Sequence, residues 1–174
     1  MEQIKAAFFD RDGTIIEDVN YLKSIDDIKI IQDAIYLIRY LQEKDYKIFV
    51  VTNQSGVARG YFDESFVIKT HEYLYNLLKQ ENIFIKKFYY CPHHESNAVD
   101  EKYLINCDCR KPKPGMFFAS AKEFNINLSE SLMFGDKLLD IEAGSAAGCK
   151  SFYIQQFFNL QQNFRLNFYK SFFE

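Results

Sequence analysis

The feature that most constrains the fold of this chain is a short apolar run, residues 5–10, that ends in two aspartates. The run predicts a buried β-strand with Asp10 and Asp12 at its carboxyl end. The two side chains face the same way, because residues two apart in an extended chain share a side. Gly13 permits a sharp turn directly after them. Open α/β folds bind ligands in such loops, but Asp and Gly are also ordinary turn residues, so this stretch alone leaves both interpretations open.

The rest of the chain alternates predicted strands with predicted helices. This order is typical of an α/β fold, a doubly wound parallel β-sheet with helices on both faces. Strands are predicted at 46–51, 84–90, 131–136 and 150–154. Helices are predicted at 33–45 with Asp33 as the N-cap, at 63–81, at 114–124 and at 138–147. The last twenty residues are rich in Phe, Gln and Asn and predict a further helix over the sheet edge.

Length and composition fit one globular domain over residues 1–174, because 48% of the residues are hydrophobic and 26% are charged. The formal charge of −3 argues against a nucleic-acid partner. There is no apolar stretch of membrane-spanning length and no signal-peptide pattern at the start, so we expect a cytoplasmic protein. No docking helix is evident, which favours a monomer. In the cytoplasm, the four cysteines are expected to be free or metal-bound.

Polar residues follow three of the predicted strands, at 10–12, 52–53 and 135–140. The carboxyl ends of parallel strands converge at one crevice, so these loops are expected to meet there. Carboxylates and a hydroxyl suit Mg²⁺, which prefers oxygen ligands. Lys111 and Lys137 add positive charge. Together these groups indicate phosphoryl transfer, in which an anion must be positioned and its charge neutralised.

At this point the chain closely resembles the haloacid dehalogenase superfamily of phosphatases. The resemblance spans about residues 4–154 and rests on four motifs in the expected order: Asp10-x-Asp12-Gly13-Thr14, Thr52, Lys111, and Gly135-Asp136 with Asp140. It implies a Rossmann-like sheet. No large insertion lies between the first two motifs or after the second, so a separate cap domain is not expected and short loops should cover the site.

The resemblance also implies roles for the motif residues. Asp10 would attack phosphorus and form an aspartyl-phosphate, and Asp12 would act as general acid and then general base. Thr52 and Lys111 would hold phosphoryl oxygens.

Mg²⁺ would be held by Asp10, Asp136 and the backbone carbonyl of Asp12. Asp140 is either a partner of the metal ligands or an acid on the helix surface, and the sequence leaves both alternatives open.

A polar segment, residues 91–109, carries a second set of metal-type ligands. Their paired spacing favours a structural zinc ion with four protein ligands: Cys91, His93, Cys107 and Cys109. The metal would supply folding energy that a polar loop lacks. The alternative is cysteines that merely pack in the core. His94 could replace His93, although the Cys-x-His spacing favours His93, and His71 is expected at the surface of its helix.

Within the superfamily the chain resembles the D-glycero-D-manno-heptose 1,7-bisphosphate 7-phosphatases in segments 51–60, 91–94, 107–112 and 135–137. The resemblance implies that the substrate is a small sugar bisphosphate contacted by these residues: Asp18, Val19, Asn20, Tyr21, Asn53, Gln54, Ser55, Arg110 and Lys137. Arg110 would hold the 1-phosphate by a bidentate fork. Asn20 stands where relatives often have glycine, and asparagine tolerates a left-handed backbone. The aromatic tail also departs from the usual charged one.

Other functions stay open at the level of sequence. The histidinol-phosphate phosphatases share the motifs but have a shorter loop between the zinc pairs. A polynucleotide 3′-phosphatase shares the aspartate motif, but the acidic balance opposes it. A non-catalytic, zinc-stabilised sugar-phosphate binder would require loss of chemistry. For the heptose enzyme, either anomer of the substrate fits, feeding ADP-heptose or GDP-heptose synthesis.

Overall fold

A computed structural model describes residues 3–173 and contains a five-stranded sheet in the order β3-β2-β1-β4-β5. Its strands are β1 (Ala6–Phe9), β2 (Lys47–Asn53), β3 (Ile85–Cys91), β4 (Leu132–Gly135) and β5 (Lys150–Tyr153). Each neighbouring pair is parallel. The predicted doubly wound parallel sheet is confirmed. The chain reverses its direction of winding at β1, so a crevice is expected between the ends of β1 and β4.

Five α-helices cover the two faces of the sheet among residues 3–173. They are α1 (Gln32–Glu43), α2 (Glu64–Gln80), α3 (Gly115–Phe124), α4 (Leu138–Ala147) and α5 (Gln162–Phe173). Apolar residues of α1, α2 and α5 share one buried cluster, and those of α3 and α4 share the other. None of these helices is both long enough and apolar enough to cross a membrane.

Strand β1 explains why the sheet has a core on both faces. Ala7 and Phe9 belong to the cluster under α1, α2 and α5, whereas Ala6 and Phe8 belong to the cluster under α3 and α4. Alternate side chains of a strand point to opposite faces, and both faces are covered here, so an unbroken apolar run is required. The buried strand thereby fixes the position of Asp10, which follows it immediately.

The prediction that Asp33 caps α1 is wrong. The helix begins at Gln32, and the N-cap position is Ile31, which forms no side-chain cap hydrogen bond. The Asp33 carboxylate instead accepts hydrogen bonds from the backbone N–H of Asn159 at 2.9 Å and from the Arg165 side chain at 2.8 Å. It ties the segment before α5, and α5 itself, to the start of α1. The predicted aromatic tail helix is α5, and it packs its Phe172 ring 5.3 Å from that of Phe152 on edge strand β5.

The prediction that His71 lies at the surface is also wrong. Its side chain belongs to the buried face of α2, and the residue is only 7% exposed. Its ring stacks on Phe88 of β3 with centroids 4.7 Å apart. Helical periodicity places position 71 beside the apolar Leu74 and Leu78, which face the sheet, so the spacing alone could have indicated burial.

Candidate active site

A cavity of about 230 Å³ opens at the carboxyl ends of β1, β2 and β4. Among the residues predicted from the sequence, those that line it are Asp10, Asp12, Asp18, Asn20, Tyr21, Asn53, Gln54, Ser55, Arg110, Lys111 and Lys137. Val19 lies outside the lining and is 42% exposed. Leu22, Phe62 and Leu139 also line the cavity but could not be predicted, because single apolar residues carry no chemical signal in the sequence.

Lys111 is a buried cation at the floor of this cavity. Its Nζ lies 2.8 Å from Asp10 Oδ1 and 2.6 Å from Asp140 Oδ1, and it donates to the backbone carbonyl of Val51 at 2.8 Å. Burial disfavours the ammonium, but the two carboxylates outweigh it and raise the pKa of Lys111. Asp140 is fully buried, so the interpretation of this residue as an acid on the helix surface is wrong.

Three carboxylates, those of Asp10, Asp136 and Asp140, meet beside Lys111 with oxygens within 4.8 Å of one another. Burial raises the pKa of Asp10, with Lys111 opposing the shift. Burial and the neighbouring Asp10 carboxylate raise the pKa of Asp136 to about 6. Such crowding of negative charge is costly unless a cation or a proton neutralises it.

The carboxylates differ in how many of their oxygens are free. Asp140 Oδ1 lies 2.6 Å from Lys111 Nζ in an ion pair that lacks hydrogen-bond geometry, and its Oδ2 accepts the backbone N–H of Lys137 at 3.0 Å. Asp136 Oδ1 is buried and has no hydrogen-bond partner among the described residues. Mg²⁺ is commonly bound through one or two carboxylates, and a carboxylate oxygen without a hydrogen-bond partner beside a second carboxylate suits it. Asp10 and Asp136 therefore fit a metal site.

Gly13 is needed for this arrangement. Its backbone adopts φ +78°, which L-residues with a Cβ rarely tolerate, and a Cβ there would collide with the Asp136 carboxylate. The turn after the second aspartate thus brings the end of β1 against the loop that follows β4.

The carboxylate of Asp12, which also lines the cavity, is held by one cationic and one neutral donor. Arg11 Nη2 and Gln54 Nε2 donate to its carboxylate at 3.0 and 2.9 Å. The same Gln54 amide donates to Thr52 Oγ1 at 2.8 Å. Arg11 carries no predicted role, since a residue between two positions that face the same way is expected to point away from them in an extended strand. The chain has already turned there, as the Arg11 carbonyl accepts the backbone N–H of Ile15 at 3.0 Å.

Asn53 and Lys111 are joined through two hydrogen bonds. The Asn53 side chain donates to the Lys111 carbonyl and accepts the Lys111 backbone N–H, each at 3.0 Å. The end of β2 is therefore fastened to the backbone of the lysine that reaches Asp10.

Lys137 joins the loop after β1 to the loop after β4. Its Nζ donates to Asp18 Oδ2 at 2.8 Å and lies 3.8 Å from Asp136 Oδ2. Burial opposes the charge, yet Asp18 and Asp136 raise the pKa of Lys137. Asp18 Oδ1 also accepts the backbone N–H of Asn20, whose φ of 71° confirms the left-handed conformation expected at this position. This loop forms one wall of the cavity.

The loop 91–109 brings together four potential metal ligands, whose ligand atoms lie within 4.8 Å of one another: Cys91, His93, Cys107 and Cys109. The thiol of Cys107 lies 3.4 Å from that of Cys91 and 3.2 Å from that of Cys109. His93 Nδ1 lies 3.4 Å from Cys109 Sγ. His94 lies outside the cluster, and its Nε2 is 3.1 Å from Arg59 Nη2.

The loop 91–109 is tied by backbone hydrogen bonds to the loop after β2. Gln54 donates to the Cys91 carbonyl at 2.8 Å, Ala58 donates to Pro92 at 3.2 Å, and Val99 donates back to Ala58 at 2.8 Å. At its other end, Arg110 Nη1 donates to the His93 carbonyl at 3.3 Å and Arg110 lines the cavity. The loop therefore supports two walls of the crevice.

Comparison with known proteins gives a consistent set of similarities. The family model for haloacid dehalogenase-like hydrolases matches residues 17–148. The D-glycero-beta-D-manno-heptose-1,7-bisphosphate 7-phosphatase of Haemophilus influenzae is 42% identical over 146 residues, covering 84% of this chain and 78% of the relative. The corresponding alpha-anomer enzyme of Campylobacter jejuni is 36% identical over 177 residues, covering 95% of this chain and 96% of the relative.

Solved structures point the same way. The D,D-heptose 1,7-bisphosphate phosphatase from B. bronchiseptica, complexed with magnesium and phosphate, is 28% identical with a TM-score of 0.76, covering 91% of this chain and 89% of the other. A HAD-like phosphatase from Mesorhizobium loti is 35% identical with a TM-score of 0.80, covering 84% of this chain and 70% of the other.

Proposed function

The chain belongs to the haloacid dehalogenase-like hydrolases, and we propose that it removes the 7-phosphate from D-glycero-D-manno-heptose 1,7-bisphosphate, releasing heptose 1-phosphate and phosphate. The observation that carries this proposal is the Asp10–Lys111 pair, 2.8 Å apart at the bottom of a cavity rimmed by further cations. The Asp10 carboxylate lies beside the buried ammonium of Lys111 and beside Asp136, whose Oδ1 has no hydrogen-bond partner among the described residues. Such a carboxylate is suited to attack on a phosphate ester.

Asp10 is the nucleophile in this proposal. Its Oδ1 is held by Lys111, which leaves the second oxygen to attack phosphorus. The bond from Asp10 to phosphorus forms while the bond from phosphorus to the sugar oxygen breaks. Asp12 donates its proton to the departing sugar oxygen, which is a poor leaving group without it.

Hydrolysis of the aspartyl-phosphate uses the same two carboxylates in reverse roles. Water attacks phosphorus, Asp12 accepts the proton of that water, and the bond to Asp10 breaks to release phosphate and restore the carboxylate. Thr52 and Lys111 hold phosphoryl oxygens during both steps. General acid–base catalysis of this kind typically raises the reaction rate by about 10²–10⁴-fold.

Asp10, Asp136 and the backbone carbonyl of Asp12 would hold Mg²⁺. When bound, the metal supplies positive charge that screens the anionic nucleophile from the anionic phosphate. The raised pKa of Asp136 and its orphaned Oδ1 are the features of this chain that support the assignment.

The second phosphate of the substrate would contact Arg110 and Lys137, which both line the cavity. A guanidinium matches a phosphate by two parallel hydrogen bonds, so Arg110 is suited to a phosphate that is held but not cleaved. The sugar hydroxyls face the polar loops 18–21 and 53–55.

Zinc is the metal that we assign to the loop 91–109. Three thiols and one imidazole fill all four positions of a tetrahedral site, which leaves no open position for chemistry and makes the site structural.

A panel of phosphate-release assays tests the substrate. We expect the highest kcat/KM for one anomer of the heptose 1,7-bisphosphate, with histidinol phosphate at least about tenfold poorer, because only the bisphosphate engages Arg110. A preference for histidinol phosphate would overturn the substrate assignment while keeping the phosphatase, and absence of phosphate release from every ester in the presence of Mg²⁺ would overturn both.

A further inference from the structure

Arg11 is a buried cation for which the proposed reaction has no direct use. It is 3% exposed and lies between Asp10 and Asp12 in the chain. Its Nη2 donates to Asp12 Oδ1 and to Gln54 Oε1, each at 3.0 Å, and its Nε donates to Asp12 Oδ1 at 3.2 Å. A buried guanidinium is costly unless each edge finds an acceptor, and these bonds leave the Nη1 edge to be satisfied.

His71 of α2 supplies the acceptor for that edge. Its Nε2 lies 3.4 Å from Arg11 Nη1. Burial, together with the cationic Arg11, lowers the pKa of His71 to about 3, so the ring is neutral. A guanidinium can only donate, so Nε2 is the acceptor in this contact. With Nε2 accepting, the ring proton lies on Nδ1.

The packing around His71 fixes the direction of this lone pair. The ring is stacked on Phe88 with an interplanar angle of 19°, and the Tyr90 ring meets it edge-on with centroids 5.7 Å apart. The two aromatic neighbours restrict the plane of the imidazole, and in that plane Nε2 faces Arg11 Nη1.

We propose that His71 is a positioning residue that acts through Arg11 to hold Asp12 in the orientation for proton transfer. This inference rests on the proposed role of Asp12 as general acid. Arg11 grips the Asp12 carboxylate, Gln54 braces both partners, and His71 closes the remaining side of the guanidinium. Without His71, a buried N–H edge lacks its acceptor and the guanidinium reorients, taking the Asp12 carboxylate with it.

The choice of leaving group separates this role from general support of the fold. A sugar alkoxide must be protonated as it departs, whereas p-nitrophenolate departs readily without a proton. The ratio kcat/KM reports the steps up to loss of the leaving group. A defect in the proton donor therefore lowers kcat/KM for an alkyl phosphate and spares p-nitrophenyl phosphate, whereas a general structural defect lowers both.

The experiment compares His71→Leu with wild type on both classes of ester, with the heptose bisphosphate as the alkyl ester. Should the wild-type panel favour another alkyl phosphate, that ester replaces it, so failure of the substrate assignment is seen separately in the wild type. We expect kcat/KM to fall about tenfold or more for the alkyl ester, through kcat rather than KM, and to stay within about twofold for p-nitrophenyl phosphate.

Two further variants complete the test. Val67→Ala, also on the buried face of α2, should leave the ratio between the two esters at the wild-type value even where stability falls. Arg11→Lys keeps a cation but not the planar fork, and it should show the same selective loss if His71→Leu fails to fold. An equal fall for both esters, or no fall for either, in a folded His71→Leu or Arg11→Lys protein would overturn the proposal.

Discussion

At the residue scale, Lys111 shows why the acids of this site cannot be considered one at a time. It pairs with Asp10 at 2.8 Å and with Asp140 at 2.6 Å, and all three residues are buried. A buried ammonium with no partner is strongly destabilising, whereas one that keeps a partner is tolerated. The second carboxylate thus makes the nucleophile replaceable without loss of the fold.

We therefore expect Asp10→Asn to abolish turnover while the protein stays folded. The amide cannot attack phosphorus, and Asp140 still pairs with Lys111, so the fall in kcat should be on the order of 10⁴-fold or more. Phosphate release measures the loss, and circular dichroism checks the fold. Activity near wild type in this variant would rule out a covalent intermediate on Asp10.

Asp136 gives a prediction that depends on pH. Burial and Asp10 raise its pKa from 3.8 to about 6 in the folded, metal-free protein. The folded state then holds a proton that the unfolded chain has released between about pH 4 and pH 6, so this carboxyl's contribution to stability falls as pH rises through that window. Bound Mg²⁺ replaces the proton and should relieve the loss.

The measurement is Tm with and without Mg²⁺ at about pH 5 and at about pH 7.5, where the metal-induced increase should be larger at the higher pH. Asp136→Asn is the control, because it removes the titrating group and should make the increase small at both values. A metal effect that is equal at the two pH values in the wild-type protein would contradict the proposed role of Asp136.

Whether a residue's role could be predicted from the sequence depends on how far apart in the chain its partners lie. The cavity floor could be predicted in outline because Asp10 and Asp12 come just after β1, Thr52 lies at the carboxyl end of β2, and the carboxyl ends of parallel strands converge. The sharing of Lys111 between two acids and the contact of His71 with Arg11 could not, since each joins residues at least 29 positions apart through side-chain packing. Periodicity indicates which face is buried, but it does not identify the partner.

At the element scale, the loop 91–109 acts as a brace for the crevice as well as a ligand cluster. Its backbone bonds to residues 54 and 58, and its far end leads into Arg110 and Lys111. The loop buries little apolar surface, since Val99, Leu104 and Ile105 are exposed, so the metal supplies that stability in the proposed function.

We expect Cys107→Ser to lower bound zinc from about one ion per chain, to lower Tm by several degrees and to raise KM. KM should rise because the loop 91–109 supports the loop after β2, which carries the proposed substrate contacts Gln54 and Ser55. Metal analysis and thermal unfolding measure these effects. Cys149→Ser is the matched control, since Cys149 is a buried cysteine outside the cluster and its replacement should leave zinc content unchanged. A Cys107→Ser protein with wild-type zinc and Tm would refute the loop assignment.

The ends of helices could likewise be predicted where a local signal sets them and not where distant residues do. Helix α4 follows its predicted span, because Gly148 ends it in a left-handed conformation that favours glycine. Helix α1 starts one residue before Asp33, and that side chain binds Asn159 and Arg165 more than 120 positions away. A capping pattern is local, and here a distant cation and backbone N–H compete successfully for the carboxylate.

At the scale of the whole molecule, the strand order places the ends of β1 and β4 side by side, so Asp10 and Asp136 become neighbours although they are 126 positions apart in the chain. The sequence could predict this convergence because alternating strands and helices permit few topologies. The sequence could not predict how far the aromatic tail reaches. The ring of Phe173 in α5 packs 6.1 Å, centroid to centroid, from that of Phe134 in β4, the strand that leads into Asp136.

The most direct test of the proposed function is the identity of the phosphate that the enzyme removes. Phosphorus NMR of the heptose 1,7-bisphosphate incubated with the Mg²⁺-loaded protein should show the 7-phosphate signal replaced by inorganic phosphate while the anomeric 1-phosphate signal persists. Asp10→Asn protein should leave both signals unchanged. Loss of the anomeric phosphate, removal of both phosphates at similar rates, or turnover by the Asp10→Asn protein would contradict a site that holds one phosphate at Arg110 and cleaves the other at Asp10.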